Sequence, residues 1–373
     1  MKIEKIQGIN FRNYKSFDLP IDNMTNVFYG QNAQGKTNIL ESIFYAAFGI
    51  SHRTNQEENL FLFDSRQMMV KVQFDNNNDN HFVQIKKYFN EDNRSKKDII
   101  IDENKHSLRD YYGFLNVVMF SPEDLQIVKG EPSLRRRFID MQISQTDKKY
   151  LNCLMQYNKL LRQRNTLLKQ IKDGLYNENI LDSWDGEFVK LAQEIYFSRQ
   201  RALQQLVIIA QKILFEISHG EHLSMEYITK GLHRELAEGI ENYEEFFVKE
   251  LADARNLDII RGTTNIGPHR DDIAFKINDL LLKNYGSQGQ QRSVALALKL
   301  SQLEYVKKEL DEYPILLLDD VMSELDEFRR SQLLQFLDGR VQTFITVNDR
   351  SLIPENIEGA YFKIEHGTIT KVN

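Results

Sequence analysis

The nine residues Tyr29-Gly30-Gln31-Asn32-Ala33-Gln34-Gly35-Lys36-Thr37 match the spacing G-x-x-x-x-G-K-[ST]. Glycine at both ends lets the backbone curl until successive amides converge on phosphate oxygens. In that pattern Lys36 reaches the β- and γ-phosphates and the Thr37 hydroxyl ligates Mg²⁺. The apolar strand Val27-Phe28-Tyr29 enters the loop, and Asn38-Ile39-Leu40-Glu41-Ser42-Ile43-Phe44 leaves it with a helical pattern. A helix N-terminus then adds its partial positive charge. Gly30 to Asn38, that is Gly30, Gln31, Asn32, Ala33, Gln34, Gly35, Lys36, Thr37 and Asn38, are the candidate nucleotide-binding residues.

Two carboxylates end the apolar run Pro314-Ile315-Leu316-Leu317-Leu318-Asp319-Asp320. Buried carboxylates are costly unless they are paired or hold a metal. Beside a phosphate loop, Asp319 is the candidate Mg²⁺ ligand together with Thr37. Asp320 is the candidate catalytic group, orienting or deprotonating an attacking water. Upstream, Gly286-Ser287-Gln288-Gly289-Gln290-Gln291-Arg292-Ser293 runs into the helical Val294-Ala295-Leu296-Ala297-Leu298. Two readings stay open there: a serine-capped helix start, or a second anion site.

Charge is distributed unevenly. Between Lys129 and Lys172 stand 11 Lys or Arg against 3 Asp or Glu, a local +8 in a chain of net charge −6. Arg135, Arg136, Arg137, Arg162 and Arg164 are the candidate DNA-binding residues, through sequence-independent phosphate contacts. The competing account is a solvated helix face with local salt bridges.

The elements that must carry these groups follow from pattern. Lys2 to Ile6 and Asn26 to Tyr29 read as strands. Val70, Val72 and Phe74 alternate with polar residues, Asp75 to Asn80 read as a turn, and Phe82 to Ile85 as the hairpin partner. Ile99-Ile100-Ile101 adds a strand, so an antiparallel layer is expected over 66–102. From 121 to 262, apolar residues such as Leu151, Leu154, Tyr157, Leu160, Leu203, Leu206 and Ile213 recur at helical spacing. The expected organisation is a head in two parts, 1–120 and 263–373, flanking a helical lobe at 121–262. With 373 residues, 41% hydrophobic and 27% charged, the chain is globular in composition. No apolar run approaches a membrane span. The N-terminus lacks a signal-peptide pattern, and the single cysteine, Cys153, excludes an internal disulfide framework. A cytoplasmic location is expected.

A phosphate loop near the N-terminus, a distant Ser-x-Gly-Gln helix start and an apolar strand ending in Asp-Asp together resemble ABC-type ATPase heads of the SMC kind. Ser323-Glu324-Leu325-Asp326 is similar to the D-loop of that class. Further landmarks occur in order: Phe11-Arg12-Asn13-Tyr14, Ser51-His52-Arg53-Thr54, Phe120-Ser121-Pro122-Glu123-Asp124-Leu125, Lys129 to Arg137, Gly267-Pro268-His269-Arg270-Asp271-Asp272 and Gln288 to Arg292. On these the chain resembles the RecF family of bacterial DNA-repair proteins. The resemblance implies an α/β fold: a P-loop ATPase head with a mixed sheet, an antiparallel β layer and an inserted α-helical lobe.

It also implies ATP and Mg²⁺ as cofactors, with Arg12, Asn13 and Tyr14 near the base and ribose. Tyr14 either stacks on adenine or is a core aromatic. Ser287, Gly289 and Gln290 of one subunit would cover the γ-phosphate held by another, giving an ATP-dependent homodimer. The implied role is DNA binding in repair, replication-fork maintenance and the SOS response, with slow hydrolysis releasing DNA. Duplex and gapped DNA, RecO and RecR are the implied partners in recombinase loading at single-strand gaps. An SMC-like structural organiser is the alternative, though about 140 inserted residues are too few for an SMC arm. Two features depart from the general ABC pattern. The second carboxylate is Asp320 rather than glutamate, and Phe344 to Asp349 contains no histidine. Gln126 is the nearest candidate for a glutamine loop.

Overall fold

Alternation and continuity of apolar residues separate two kinds of sheet. Where every second side chain is apolar, one strand face meets a core; where all are apolar, both faces are covered. In the computed structural model all residues are described except 77–78, 219, 232–234, 237–241, 338, 355–356 and 373. The chain divides into two compact units, 1–124 with 302–373, and 125–301.

The first unit holds two six-stranded sheets. The antiparallel one contains β1 (Lys2–Phe11), β2 (Tyr14–Pro20), β4 (Gln67–Asn76), β5 (Asp79–Phe89), β6 (Ser95–Ile101) and β7 (Asn104–His106), in the order β2-β1-β4-β5-β6-β7. Met68, Val70, Val72 and Phe74 of β4 are buried while their neighbours are not. The layer expected over 66–102 is therefore present, with β1, β2 and β7 added. Asn77 and Asn78, in the expected turn, lie outside the described residues.

The other sheet contains β3 (Thr25–Tyr29), β8 (Val117–Phe120), β13 (Ile315–Asp319), β14 (Thr343–Val347), β15 (Ala360–Glu365) and β16 (Thr368–Val372). Its order is β16-β15-β3-β14-β13-β8, parallel except at β16. β13 and β14 are buried at every residue. Phe28 stacks on Phe362 with ring centroids 4.9 Å apart; each such buried side chain contributes about 1.5–3 kcal/mol. Helix α1 (Lys36–Phe48) follows β3, α2 (Leu108–Tyr111) precedes β8, and α10 (Val321–Glu324) and α11 (Glu327–Leu337) follow β13. Parallel order places the C-terminal ends of β3, β13 and β14 side by side, and the phosphate loop and carboxylate pair both begin there.

The second unit contains α3 (Leu125–Lys129), α4 (Pro132–Thr146), α5 (Lys148–Lys172), α6 (Asp182–Ile217), α7 (Tyr243–Arg261) and α8 (Leu282–Tyr285). A small antiparallel sheet, β10-β9-β11-β12, joins β9 (Leu223–Lys230), β10 (Glu235–Leu236), β11 (Asp272–Ile277) and β12 (Leu280–Leu281). Helix α9 (Gln288–Leu310) starts in this unit and ends in the first. This unit thus runs past the helical stretch 121–262 to include the sheet and the Ser287 segment. Asp147 caps α5 by accepting the Tyr150 amide at 3.0 Å. The α6 stripe of Phe188, Ala192, Ile195, Tyr196 and Leu203 is buried, the 3.6-residue period its sequence showed. No helix among the described residues is long and apolar enough to cross a membrane.

Candidate functional site

The phosphate loop is built by backbone that only small residues accept. Gly30 and Gly35 have φ of 148° and 115°. A Cβ on Gly30 would lie 2.3 Å from the Ile364 carbonyl oxygen, and one on Gly35 would lie 2.6 Å from Tyr14 Oη. Lys36 arches back over the loop, donating to the Gly30 carbonyl (2.5 Å), the Gln31 carbonyl (2.8 Å) and Asn348 Oδ1 (2.9 Å). Burial lowers its pKa, against the pull of Asp320 and then Asp319.

The carboxylate pair meets this loop directly. Thr37 Oγ1 donates to Asp319 Oδ1 at 2.8 Å, joining residues 282 apart in sequence. Thr346 Oγ1 donates to the same oxygen at 2.7 Å. Burial raises the Asp319 pKa despite these two hydrogen bonds. A hydroxyl and a carboxylate with no other ligand suit a cation that completes its shell with phosphate and water. Among the described residues no cluster of three or more His, Cys, Asp or Glu stands ready to hold a metal by itself.

Asp320 takes a left-handed φ of 54° and starts α10. Its amide donates to Thr346 Oγ1 at 2.9 Å, and Ser323 Oγ donates to its carbonyl at 2.8 Å. Asn348 Nδ2 reaches its carboxylate at 3.4 Å. Asn348 thus links Lys36 with Asp320 from within the histidine-free segment Phe344 to Asp349. Asp326 accepts the Arg329 amide at 2.9 Å and starts α11.

Beside the loop, the Arg12-Asn13-Tyr14 group divides. Asn13 donates to the Gln34 carbonyl at 3.1 Å and accepts from Asn38 Nδ2 at 2.8 Å, so it braces the phosphate loop. Tyr14 is 1% exposed, edge-on to Phe17, with its hydroxyl under Gly35. The expectation that it stacks on adenine is corrected: the ring is in the core, closed off from any base. Arg12, at φ 54°, is clamped by Glu41, its Nε and Nη2 donating to the two carboxylate oxygens at 2.8 and 2.5 Å. Glu41 is wholly buried. It also accepts from Ser51 Oγ at 2.5 Å and lies 3.7 Å from Arg53 Nη1, which in turn donates to Asn38 Oδ1 at 3.0 Å. Arg12, Asn13, Asn38, Arg53 and Asn59, with the 87% exposed Phe63, line an open cavity of about 820 Å³. His52 packs edge-on against Phe44, and burial lowers its pKa to about 4.

In the second unit Ser287 and Gln290 cap each other. The Gln290 amide donates to Ser287 Oγ at 3.2 Å and the Ser287 amide to Gln290 Oε1 at 2.8 Å, a capping box on the pattern S-x-x-Q. Ser287 stays exposed and Gly289 half-exposed. Gln126, in α3, is also exposed.

The basic cluster requires correction. Arg135 is buried, pairs with both oxygens of Asp272 (2.6 and 3.0 Å) and donates to the Gly130 carbonyl at 2.8 Å. Arg136 is half-buried and donates to the Asp271 carbonyl at 2.6 Å. Arg164 is wholly buried, bonded to Asp185 (3.1 Å), Asp258 (2.9 Å) and Thr264 (2.9 Å). Arg135 and Arg164 are buried in the lobe and have no face for DNA; Arg136 keeps part of its surface, and Arg137 and Arg162 are exposed.

The Gly267–Asp272 run, whose chemistry the sequence left open, is the other half of this interior. His269 Nδ1 meets Tyr157 Oη at 2.7 Å, Tyr227 donates to Asp271 at 2.8 Å, and Arg199 reaches the Pro268 carbonyl at 2.7 Å and Asp140 at 2.8 Å.

With this geometry in place, comparison with known proteins is decisive. The family model described as RecF/RecN/SMC N terminal domain matches residues 2–365. A Clostridium tetani protein named DNA replication and repair protein RecF is 39% identical over 371 residues, covering 98% of this chain and 99% of its own. A protein of that name from Lactococcus lactis is 39% identical over 373 residues, covering 99% of each. This chain belongs to the RecF family. A solved structure of the recombination mediator protein RecF with ATP in the RecFOR pathway superposes with TM-score 0.90 at 36% identity, over 100% of this chain and 98% of that one. The Pyrococcus furiosus Smc head, at 16% identity and TM-score 0.58, covering 100% of this chain and 96% of that one, shares the fold.

Three residues of this RecF-family head escaped the sequence reading: Glu41, Thr346 and Asn348. Glu41 left a trace, a carboxylate inside the apolar run Ile39-Leu40-Glu41-Ser42-Ile43. A buried acid there demands a cationic partner. Thr346 and Asn348 lie in the segment Phe344 to Asp349 that the sequence marked only by its missing histidine, and their contacts depend on β14 lying beside β13.

Proposed function

We propose that this chain is an ATP-switched DNA-binding protein of replication and repair. ATP·Mg²⁺ bound to one head is covered by the Ser287 segment of a second copy, so that nucleotide closes a homodimer on DNA and slow hydrolysis opens it. The observation that carries this reading is the 2.8 Å bond from Thr37 to Asp319, which joins the phosphate loop to the carboxylate strand as a metal–nucleotide site requires. Lys36 meets the β- and γ-phosphates, Thr37 and Asp319 hold Mg²⁺, and the nucleoside occupies the cavity of Arg12, Asn13 and Asn38. Bound Mg²⁺ supplies charge neutralisation at the phosphates.

Asp320, held by Thr346, Ser323 and Asn348, orients the attacking water and takes its proton. Its short side chain is the basis for slow turnover. The exposed cations of the second unit supply the DNA contacts. RecO and RecR are the partners in recombinase loading at single-strand gaps. Light scattering on the full chain tests the switch: the mass should double with ATP·Mg²⁺ and duplex DNA and stay monomeric with ADP. A mass that ignores nucleotide rejects the reading.

A further inference from the structure

Helix α5 is the most one-sided charged element of the chain. Over Lys148–Lys172 the sequence places Lys148, Lys149, Lys159, Arg162, Arg164, Lys169 and Lys172, with no Asp or Glu among them. The fold sorts these seven. Arg164 turns inward to Asp185 and Asp258, and Lys149 faces Glu194 of α6 at 3.7 Å. Lys148, Lys159, Arg162, Lys169 and Lys172 are exposed, with no ion-pair partner among the described residues. At about 100° per residue, Lys148, Lys159, Arg162 and Lys169 fall within an arc of about 80°, with a rise of about 31 Å from first to last. The other exposed residues of that arc, Met155 and Thr166, are uncharged.

Carboxylates that lie against α5 do not neutralise this stripe. Asp185 and Asp258 are bound by Arg164, and Glu194 faces Lys149. Of the flanking acids, Asp147 accepts the Tyr150 amide, and Asp173, the exposed C-cap whose amide bonds the Lys169 carbonyl, sets one acid in line against the four cations. Lys169 runs beside Gly262 at the end of α7, its Cγ 2.9 Å from where a Cβ on that glycine would be, and the neighbouring Arg261 is exposed. The helix dipole favours Lys169 and Lys172 in the last turn, but not Lys148 in the first or Lys159 and Arg162 in the middle, so helix stability accounts for only part of the pattern.

We propose that this stripe of α5 is the landing face for the phosphate backbone of duplex DNA, contacted without base readout. Four exposed cations in line over about 31 Å match about one turn of B-DNA, whose half-sites repeat at about 34 Å. Long, exposed basic side chains suit phosphates, the sequence-independent part of a duplex. The proposal rests on the reading of this chain as a DNA-binding protein and assigns the face that does it.

The test is the quadruple variant Lys148→Gln, Lys159→Gln, Arg162→Gln, Lys169→Gln in the full chain. Its binding to a mixed-sequence duplex is followed by fluorescence anisotropy from low to moderate salt, with ATP affinity and thermal unfolding as controls. Each phosphate contact adds about 0.9 to the logarithmic salt slope, so the slope should fall by about 3 to 4 while the controls stay at wild type. A variant that keeps the wild-type slope overturns the α5 face and leaves DNA binding standing. A wild-type protein without salt-dependent duplex binding overturns the underlying reading as well. If the duplex slope is kept and binding to polyglutamate is lost, the face belongs to an acidic protein partner and the proposal fails.

Discussion

The phosphate site and the basic lobe were both marked by polar residue types, yet only the first kept its residues together. Thr37, named from a nine-residue pattern, and Asp319, named from a strand end, meet at 2.8 Å. In the lobe, arginines named from charge density went different ways: Arg135 and Arg164 into buried ion pairs, Arg137 and Arg162 to the surface. A spaced glycine motif specifies backbone, and backbone specifies direction. Charge density specifies neither, so a basic run says how much charge a segment carries and not which way it points.

The comparison breaks first at Asp320. Asp320→Asn keeps an oxygen to orient water but cannot take a proton, so phosphate release should slow by about 10²–10⁴-fold with ATP binding intact. Turnover at the wild-type rate removes Asp320 from the chemistry. In the lobe the matching experiment pairs two arginines two residues apart. Arg164→Ala strands Asp258 in the interior and should cost about 3–5 kcal/mol in urea unfolding, while Arg162→Ala should stay within about 0.5 kcal/mol. Equal costs would mean that burial does not divide the cluster.

Glu41→Gln sharpens the first unit. Arg12 and Arg53 lose their shared carboxylate, and a hydrogen bond to a charged group is worth about 1.5–3 kcal/mol. ATP affinity should fall roughly ten- to hundredfold, whereas inorganic tripolyphosphate, held by Lys36, should bind as before. Equal losses for both ligands would assign Glu41 to the fold and not to the nucleoside side of the site.

Acid should separate the units more gently. Burial lowers the His52 pKa to about 4 from the ordinary 6.5, so the unfolded chain takes the proton first. The stability His52 contributes is complete above pH 6.5 and is lost as pH falls towards 4. At about 1.36 kcal/mol per pKa unit, that is at most about 3 kcal/mol. In the second unit, His269 is lowered to about 3 by burial, while Asp271 is raised to about 6 by burial. Asp271 contributes stability that is lost as pH rises through 6, so the two oppose each other between pH 4 and 6. His52→Gln should therefore reduce the difference in unfolding free energy between pH 7 and 4.5. An unchanged difference would contradict the burial of His52.

Much of the fold was legible because its rules are local. β4 alternates, β13 is apolar throughout, and the phosphate loop needs glycine at two positions. The carboxylates Asp319 and Asp320 were legible for the same reason, as polar residues at the end of a strand that has no other polar group. Tyr14 was not, since an aromatic beside a site motif reads the same whether it faces a ligand or fills the space under Gly35. Neither was Glu41 as a hub, because its partners Arg12, Ser51 and Arg53 come from three segments that only the fold brings together. The lobe interior was least legible: Asp272 lies 137 residues from Arg135, and nothing in either neighbourhood names the other.

The two-headed switch depends most directly on Ser287, exposed at the start of α9 with its hydroxyl holding the Gln290 amide. In the proposed dimer this hydroxyl meets the γ-phosphate held by the other copy, so Ser287→Arg fills that gap with bulk and charge. Lys36, Thr37 and Asp319 are untouched. Nucleotide titration and light scattering on this one variant are decisive. The account predicts wild-type ATP affinity for the monomer and no doubling of mass with ATP·Mg²⁺ and duplex DNA. If Ser287 serves only as a helix cap, the variant loses about 0.5–2 kcal/mol of stability and still doubles in mass with ATP·Mg²⁺ and duplex DNA, and that dimer would contradict the account.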